Sequence, residues 1–387
     1  MKAKINFRIA IFLVIISFIF TGCKAAEGDK NGQGLPKVTE KIDKMASSMG
    51  EDNKEKASTR KITDESGRTV EIPSQIKTAY ATSQIGMIML YTLNPGKLAG
   101  WGYALSDSDK QFIAPKYFDL PILGVWSGKN GTGNVEEIIR VHPDVIFSVG
   151  TIEDSQKELA EKIQEQTGIP VVMLDGPLTK LDKLYKSMGD IIGEEEKAKE
   201  LGDYCGKTIA EIGSLTAKIP DEKRVKVYYA EGPKGLETDP SGSFHTEVLD
   251  FIGGKNVADV KKQGGFGRSA VSLEQLLKWN PEVIIVGYDK DAKEGFFKDI
   301  YKTAEWMSIS AVKNKKVYAI PNKPFDWFDR PPSVNRIIGV KWLAHLLYPE
   351  YVNLNIEEEV KEFYDKFYHK KLTDEEVNEL LKEAGGK

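Results

Sequence analysis

The 387-residue chain is poor in the residues from which metal centres and disulfide frameworks are built. It has two cysteines, Cys23 and Cys205, and four histidines, His142, His245, His345 and His369. A disulfide framework or a cysteine-based metal site is thereby excluded. The histidines fall in a helix end, a loop, a helix and the C-terminal stretch, so a bare zinc or manganese site is not expected. Basic charge is not concentrated either: the net charge is −4 and no dense basic run occurs, which argues against nucleic acid as a partner. G-x-S-x-G, H-E-x-x-H and G-x-x-x-x-G-K-[ST] are all missing, so no catalytic constellation is visible and an enzyme is not expected. From Lys24 to Lys61 there is no aromatic residue, while Lys, Glu, Asp, Gly and Ser dominate. Residues 24–61 read as a solvated, flexible tether.

What is present begins with Lys2, Lys4 and Arg8, an uncharged run from Ile9 to Phe20, and Thr21-Gly22-Cys23. Residues 1–23 read as a secretory signal whose apolar run is too short to span a membrane stably. The small residues directly before Cys23 resemble the lipobox of bacterial lipoproteins, in which the cysteine carries lipid and becomes the mature N-terminus. Cys205 lies in a long helical pattern and would have no partner once Cys23 is acylated.

Two stretches nearly repeat each other. Asn134-Val-Glu-Glu-Ile-Ile-Arg-Val-His-Pro-Asp-Val-Ile146 matches Ser272-Leu-Glu-Gln-Leu-Leu-Lys-Trp-Asn-Pro-Glu-Val-Ile284 position for position, 138 residues on. Each copy opens on an N-cap residue with Glu137 or Gln275 three places later, the pattern of a capping box. Apolar residues follow at helical spacing until Pro143 or Pro281 ends the helix, and a buried strand begins at once. So long a period is not that of a solenoid; it predicts two similar α/β lobes.

The first lobe, residues 62–177, opens with a hairpin-like Ile62–Pro73 and then alternates strands (76–80, 98–101, 122–125, 145–147, 169–174) with helices (85–93, 155–166). Residues 178–219 have helical spacing interrupted by Gly193 and are expected to join the lobes as one long helix, broken once. Such a connector is stiff and implies limited hinge motion. The second lobe, residues 220–350, carries strands at 225–230, 283–285 and 317–320, a Gly-rich loop at 263–268, and a helix at 336–347. Two amphipathic helical patterns in the tail, residues 351–387, are expected to pack on the outside. The fold class is therefore α/β: two lobes with mostly parallel sheets joined by a long helix.

Taken in order, Asp64–Pro73, Asn134-Val-Glu136 with Pro143–Ile146, Gly235–Ser243 with Asn256-Val-Ala258, and Ser272-Leu-Glu274 resemble a family. It is the helical-hinge substrate-binding lipoproteins of ABC importers, of the iron-siderophore, haem and vitamin B12 type, and the resemblance covers about residues 62–350. It implies the helical-backbone periplasmic-binding-protein fold. The tether and the Lys/Ile-rich composition suggest the outer face of the cytoplasmic membrane, with lipid on Cys23 as the anchor, and a monomer is expected although the sequence does not reveal the oligomeric state. The resemblance also implies as partners a small-molecule ligand, an ABC permease and its ATPase. Glu136 and Glu274 fall where the family docks onto permease arginines. First-turn carboxylates are also common without any partner, because the helix dipole favours them.

In two-lobe α/β proteins, ligands meet the loops at the carboxyl ends of strands. The candidates are Ser83, Trp101, Tyr103 and Trp126 from the first lobe, and Tyr229, His245, Arg268, Tyr288, Trp327 and Arg330 from the second. Aromatic rings suit a large chelate, and arginine forks suit carboxylate, catecholate or an oxyanion. For Trp101 and Trp126 the alternative is partial burial, and for Arg330 an ion pair with Asp326 or Asp329. No resident cofactor is expected, and any metal should arrive chelated or as an oxyanion. An iron complex is the first expectation, with molybdate or tungstate next, because Phe325–Ser333 with Arg330 looks like that branch of the family. A membrane-tethered sensor is a further alternative, which would work without Glu136 and Glu274.

Overall fold

The described part of the computed structural model comprises residues 58–126, 131–263, 268–287, 296–382 and 384. The signal segment with Cys23, most of the expected tether, and Tyr288 lie outside it. Structure begins earlier than the tether boundary at 61. β1 (Thr59–Thr63) pairs antiparallel with β2 (Thr69–Pro73), and Arg60 donates to the carbonyls of Asp190 and Ile191 at 2.7 and 3.0 Å. Thr59–Lys61 belong to this hairpin because pairing satisfies their backbone groups, an outcome that polar composition alone does not announce. Its turn is held by Asp64, whose carboxylate accepts from Ser66 and Arg68 and from the Met173 backbone.

β3 (Ala79–Ala81), β4 (Val145–Gly150) and β5 (Val171–Asp175) form a parallel sheet in that order. The strands expected at 98–101 and 122–125 are reduced to single bridges, Ala79 with Leu98 and Trp101 with Ile122. In the second lobe, β6 (Lys226–Ala230) is followed by β7 (Glu237–Thr238), β8 (Lys255–Asn256), β9 (Ser269–Ala270), β10 (Val283–Val286) and β11 (Val317–Ala319). The parallel order is β11-β10-β6-β8, while β7 and β9 make a small antiparallel pair. Alternate side chains go to opposite faces, as strand geometry requires. Val227, Tyr229, Val283 and Ile285 join the main core, whereas Tyr228, Ala230, Ile284 and Val286 join a second, separate one. Both faces are covered, which is why these strands read as continuous apolar runs.

The connector is two helices. Leu181–Ile192 ends at Gly193, whose φ of 73° is the left-handed conformation that glycine adopts without strain, and Glu195–Thr216 follows. The pair folds back as a hairpin: a Cβ on Gly189 would lie 2.2 Å from that of Ala198, and one on Gly202 would lie 2.8 Å from the Asp182 carbonyl oxygen. Only the second helix, 22 residues and thus about 33 Å long, is the long connector.

The helix Arg336–Leu347 is buried over most of its surface, with Arg336 and Lys341 buried among its apolar residues. Beyond it the chain returns to the first lobe. Val360, Phe363, Tyr364, Phe367 and Tyr368 of helix Ile356–Tyr368 are buried in the main core. Tyr368 lies 6.2 Å from Tyr91, and Tyr364 lies 5.5 Å from Phe112, ring centre to ring centre. The C-terminal helices thus lay one apolar face on the core and leave their acidic face exposed, with Glu357, Glu362, Glu375 and Glu379 outward.

One charge ties the two sheets' loops together. The fully buried Arg336 donates to the carbonyls of Gly176, at 2.7 Å, and Ser333, at 3.1 Å, and pairs with Glu247. Glu247 also accepts the Leu178 N–H at 3.1 Å, and the guanidinium sits 5.2 Å from the Phe244 ring centre. Removing one member of a buried pair leaves polar groups without partners. Arg336→Ala should therefore lower unfolding free energy by roughly 3–5 kcal/mol in a denaturant titration; a loss below about 1 kcal/mol would show the junction to be held by packing alone.

Candidate functional site

Strand ends place the candidate loops. β3 runs into Thr82 and Ser83, and Ser83 caps the helix Gln84–Leu93, its hydroxyl accepting from Gly86 N at 3.4 Å and donating to the Val149 carbonyl at 3.2 Å. The buried Ser83 hydroxyl is thus engaged in holding the helix start, leaving the helix amino end and its favourable potential for negative charge at this edge. Trp126 is half-buried, its ring edge-on to Tyr80 at 6.0 Å and packed so closely on Gly133 that a Cβ there would lie 2.6 Å from the indole. Tyr103 is exposed, at 43%.

Trp101 and Trp327 are not at a surface. The Trp101 indole N–H donates to the Tyr117 carbonyl at 2.8 Å and its ring packs against Tyr91, while Trp327 is fully buried with its indole donating to Tyr364 at 3.2 Å. Both indoles find their polar partner inside the protein, so core packing takes the place of the ligand contact expected of them. Tyr288 lies outside the described residues.

The remaining second-lobe candidates converge. Glu231 follows β6 directly and receives Arg330 Nε at 2.7 Å and Arg268 Nε at 3.0 Å. Arg330 also reaches Asp239 at 3.0 Å and Asp329 at 3.3 Å, and Arg268 reaches Glu237 at 3.5 Å. Asp329 in turn accepts the Tyr229 hydroxyl at 2.6 Å and lies 2.9 Å from His245 Nδ1. That last pair is close but not aligned as a hydrogen bond: His245 Nδ1 and Asp329 Oδ2, with Glu231 Oε2 and Thr238 Oγ1, are buried without a hydrogen-bond partner. Sequence reasoning brought Tyr229, His245, Arg268 and Arg330 to one place but missed Glu231, Asp239 and Glu237. The position of Glu231 at the carboxyl end of a strand was the available signal. Arg330 does pair with Asp329, though not with Asp326, which instead accepts the N–H groups of Phe328 and Asp329 at 2.7 and 3.0 Å.

Burial dominates the electrostatics. It pushes Glu231 up to about 8, with Asp329 adding to the rise and the two arginines opposing it. It also raises the Tyr229 phenol well above its ordinary value, helped by the Asp329 charge. For Arg330, burial works against the charge, yet Asp329, Tyr229 and Glu231 hold the guanidinium above its usual range. Among the described residues, Asp239, His245 and Asp329 could each offer one ligand atom to a metal, all within 4.8 Å of one another. Arg330 already sits against two of the three and supplies the positive charge a cation would bring.

A family model described as periplasmic binding protein matches residues 103–324. The molybdate-binding protein MolA of Haemophilus influenzae is 28% identical over 337 residues, 80% of this chain and 91% of MolA. The high-affinity heme uptake system protein IsdE of Staphylococcus aureus is 28% identical over 217 residues, 54% of this chain and 69% of IsdE. A solved ABC transporter solute binding protein from Sulfurospirillum deleyianum superposes with a TM-score of 0.77 at 33% identity, covering 84% of this chain and 99% of that one.

Asp326 gives a pH test of this loop. Burial, then the Asp329 charge, push its carboxyl up to about 7 against the pull of three backbone N–H groups. A carboxyl raised in the folded state contributes stability that is complete below its unfolded pKa near 4 and is lost as pH rises through about 7. Asp326→Asn keeps the acceptor and removes the titration. The variant should match the wild type near pH 4 and exceed it by up to roughly 4 kcal/mol at pH 8; parallel stability profiles from pH 4 to 8 would refute the assignment.

Proposed function

This chain belongs to the periplasmic binding protein family, the solute-capturing component of ABC importers, and on that premise we propose that it captures a small metal oxyanion of the molybdate type and delivers it to the permease. The observation that carries the reading is the withdrawal of Trp101 and Trp327 into the core. A porphyrin, corrin or tris-chelate needs broad aromatic area, whereas a small oxyanion needs donors aimed at one point. Tyr103 and the half-buried Trp126 remain on the aromatic side. On the donor side are the amino end of helix Gln84–Leu93 and the Arg268 and Arg330 forks, whose directions are fixed by carboxylates. The likeness to MolA over most of both chains agrees with this choice.

A second reading is an iron complex or haem, which the exposed Tyr103 and the likeness to IsdE favour. In either case the work is capture and release, with no bond-making chemistry and no resident cofactor. The protein acts as a monomer, held to the outer face of the cytoplasmic membrane by lipid on Cys23.

A thermal-shift series on residues 24–387 decides the ligand. Molybdate and tungstate at ~100 times their dissociation constants should add about 2.7 kcal/mol, with sulfate and free chelators silent; stabilisation by ferric siderophores or haem alone would sink the oxyanion reading. For the anchor, Cys23→Ala should abolish incorporation of labelled fatty acid and move the protein from the membrane pellet to the soluble fraction. Retention of label in that variant would place the lipid elsewhere.

A further inference from the structure

Tyr229 stands near the carboxyl end of β6, where a ligand contact is expected, yet its side chain is closed off, at 1% exposure. β6 lies inside its sheet, with Tyr229 opposite Ile285 of β10 and with β8 on the other side. The ring belongs to the main core and packs on Phe328, centre to centre at 4.8 Å. The hydroxyl is boxed in as well, since a Cβ on Gly287 would lie 3.0 Å from it. A phenol carried by an inner strand, fixed along its ring and at its tip, is a rigid mount for the group that receives its proton.

That group is Asp329, whose Oδ1 accepts the hydroxyl at 2.6 Å. The other carboxylate oxygen, Oδ2, lies 3.3 Å from Arg330 Nε and 2.9 Å from His245 Nδ1, and it is buried without a hydrogen-bond partner. The direction of the carboxylate is therefore set by Tyr229 and not by the nitrogen groups beside it. Burial holds the phenol well above its ordinary value, so the donated proton stays in place across the neutral range. Arg330 Nε in turn stands between two carboxylates, donating to Glu231 Oε1 at 2.7 Å with Asp329 Oδ2 farther off, while its Nη2 donates to Asp239 at 3.0 Å. A turn of the Asp329 carboxylate would let Oδ2 take Nε from Glu231 and swing the guanidinium with it. The Tyr229 hydrogen bond opposes that turn.

We infer that Tyr229 is a positioning residue for ligand capture: through Asp329 it fixes the direction in which the Arg330 fork meets the oxyanion, a role that rests on the function proposed above. A planar guanidinium recognises an oxyanion by the direction of its donors, so a fork that has swung loses hydrogen bonds while its charge is unchanged. Tyr229 acts from behind the wall of the site, without touching the ligand.

The test is a double-mutant cycle on the full lipid-anchored protein in detergent, with molybdate affinity read by titration calorimetry. Tyr229→Phe should weaken binding about tenfold in the wild-type background and by under about twofold in the Arg330→Lys background, where no fork remains to be directed. A tyrosine that merely supports the fold costs the same factor in both backgrounds; that result, or wild-type affinity in Tyr229→Phe, would overturn the inference. If the wild type does not bind molybdate, the oxyanion reading fails, and the positioning role is read without ligand from the Nε–Hε resonance of Arg330 by NMR. That resonance should move in Tyr229→Phe, and an unmoved one would overturn the role whatever the ligand. Melting temperatures check the fold of each variant. Should Tyr229→Phe melt early, Asp329→Asn, whose Nδ2 would face Arg330 Nε as a second donor, takes its place in the cycle with the same expected factors.

Discussion

A cation without access to water, Arg336, is the constraint to which both lobes answer. Burial drives its guanidinium down to about 10, and Glu247 pulls it back, so the charge survives at neutral pH through its partners. Those partners come from both sides: the Gly176 carbonyl from the loop after β5, Glu247 and Ser333 from the second lobe. Phe244, which stacks on it, precedes His245, and Ser333 follows Asp329 and Arg330 by a few residues. The loops that carry the second-lobe cluster are thus pinned at the same point that joins the sheets.

That cluster has an unusual economy of charge. Two guanidiniums would ordinarily make a cleft strongly positive, but Glu231, Asp239, Asp329 and Glu237 stand against them. Protonation of Glu231, favoured by burial, brings the sum from −2 to −1. A ligand meeting such a wall is chosen by the direction of hydrogen bonds more than by net attraction, which favours shape and donor geometry over charge as the basis of selection.

Much of the architecture was legible because it follows from local rules. The duplicated cap, apolar spacing and proline predicted both repeat helices and the strands after them, and the structure has them in both lobes. Gly193 marked the break in the connector, but its folding back depends on small residues meeting across two helices, Gly189 on Ala198 and Gly202 on Asp182, a contact that periodicity does not reveal. The site was harder to read. A tryptophan in a loop looks the same whether it faces solvent or finds a carbonyl inside, so Trp101 and Trp327 could not be separated from Trp126 by sequence. The carboxylates were missed for a related reason, since Glu231 and Asp239 gain their role from arginines that lie from 37 to 99 residues away in the chain.

The return of helix Ile356–Tyr368 to the first lobe makes the second lobe topologically an insertion: the chain enters it from the first lobe and comes back to that lobe afterwards. A ribosome releases the parts in a different order. The sheet of the first lobe emerges early, yet the aromatic residues that close its core, Phe363, Tyr364, Phe367 and Tyr368, appear only after the whole of the second lobe's sheet. The lobe that starts first is therefore completed last, and the inserted lobe has its whole sheet in hand before its host can seal.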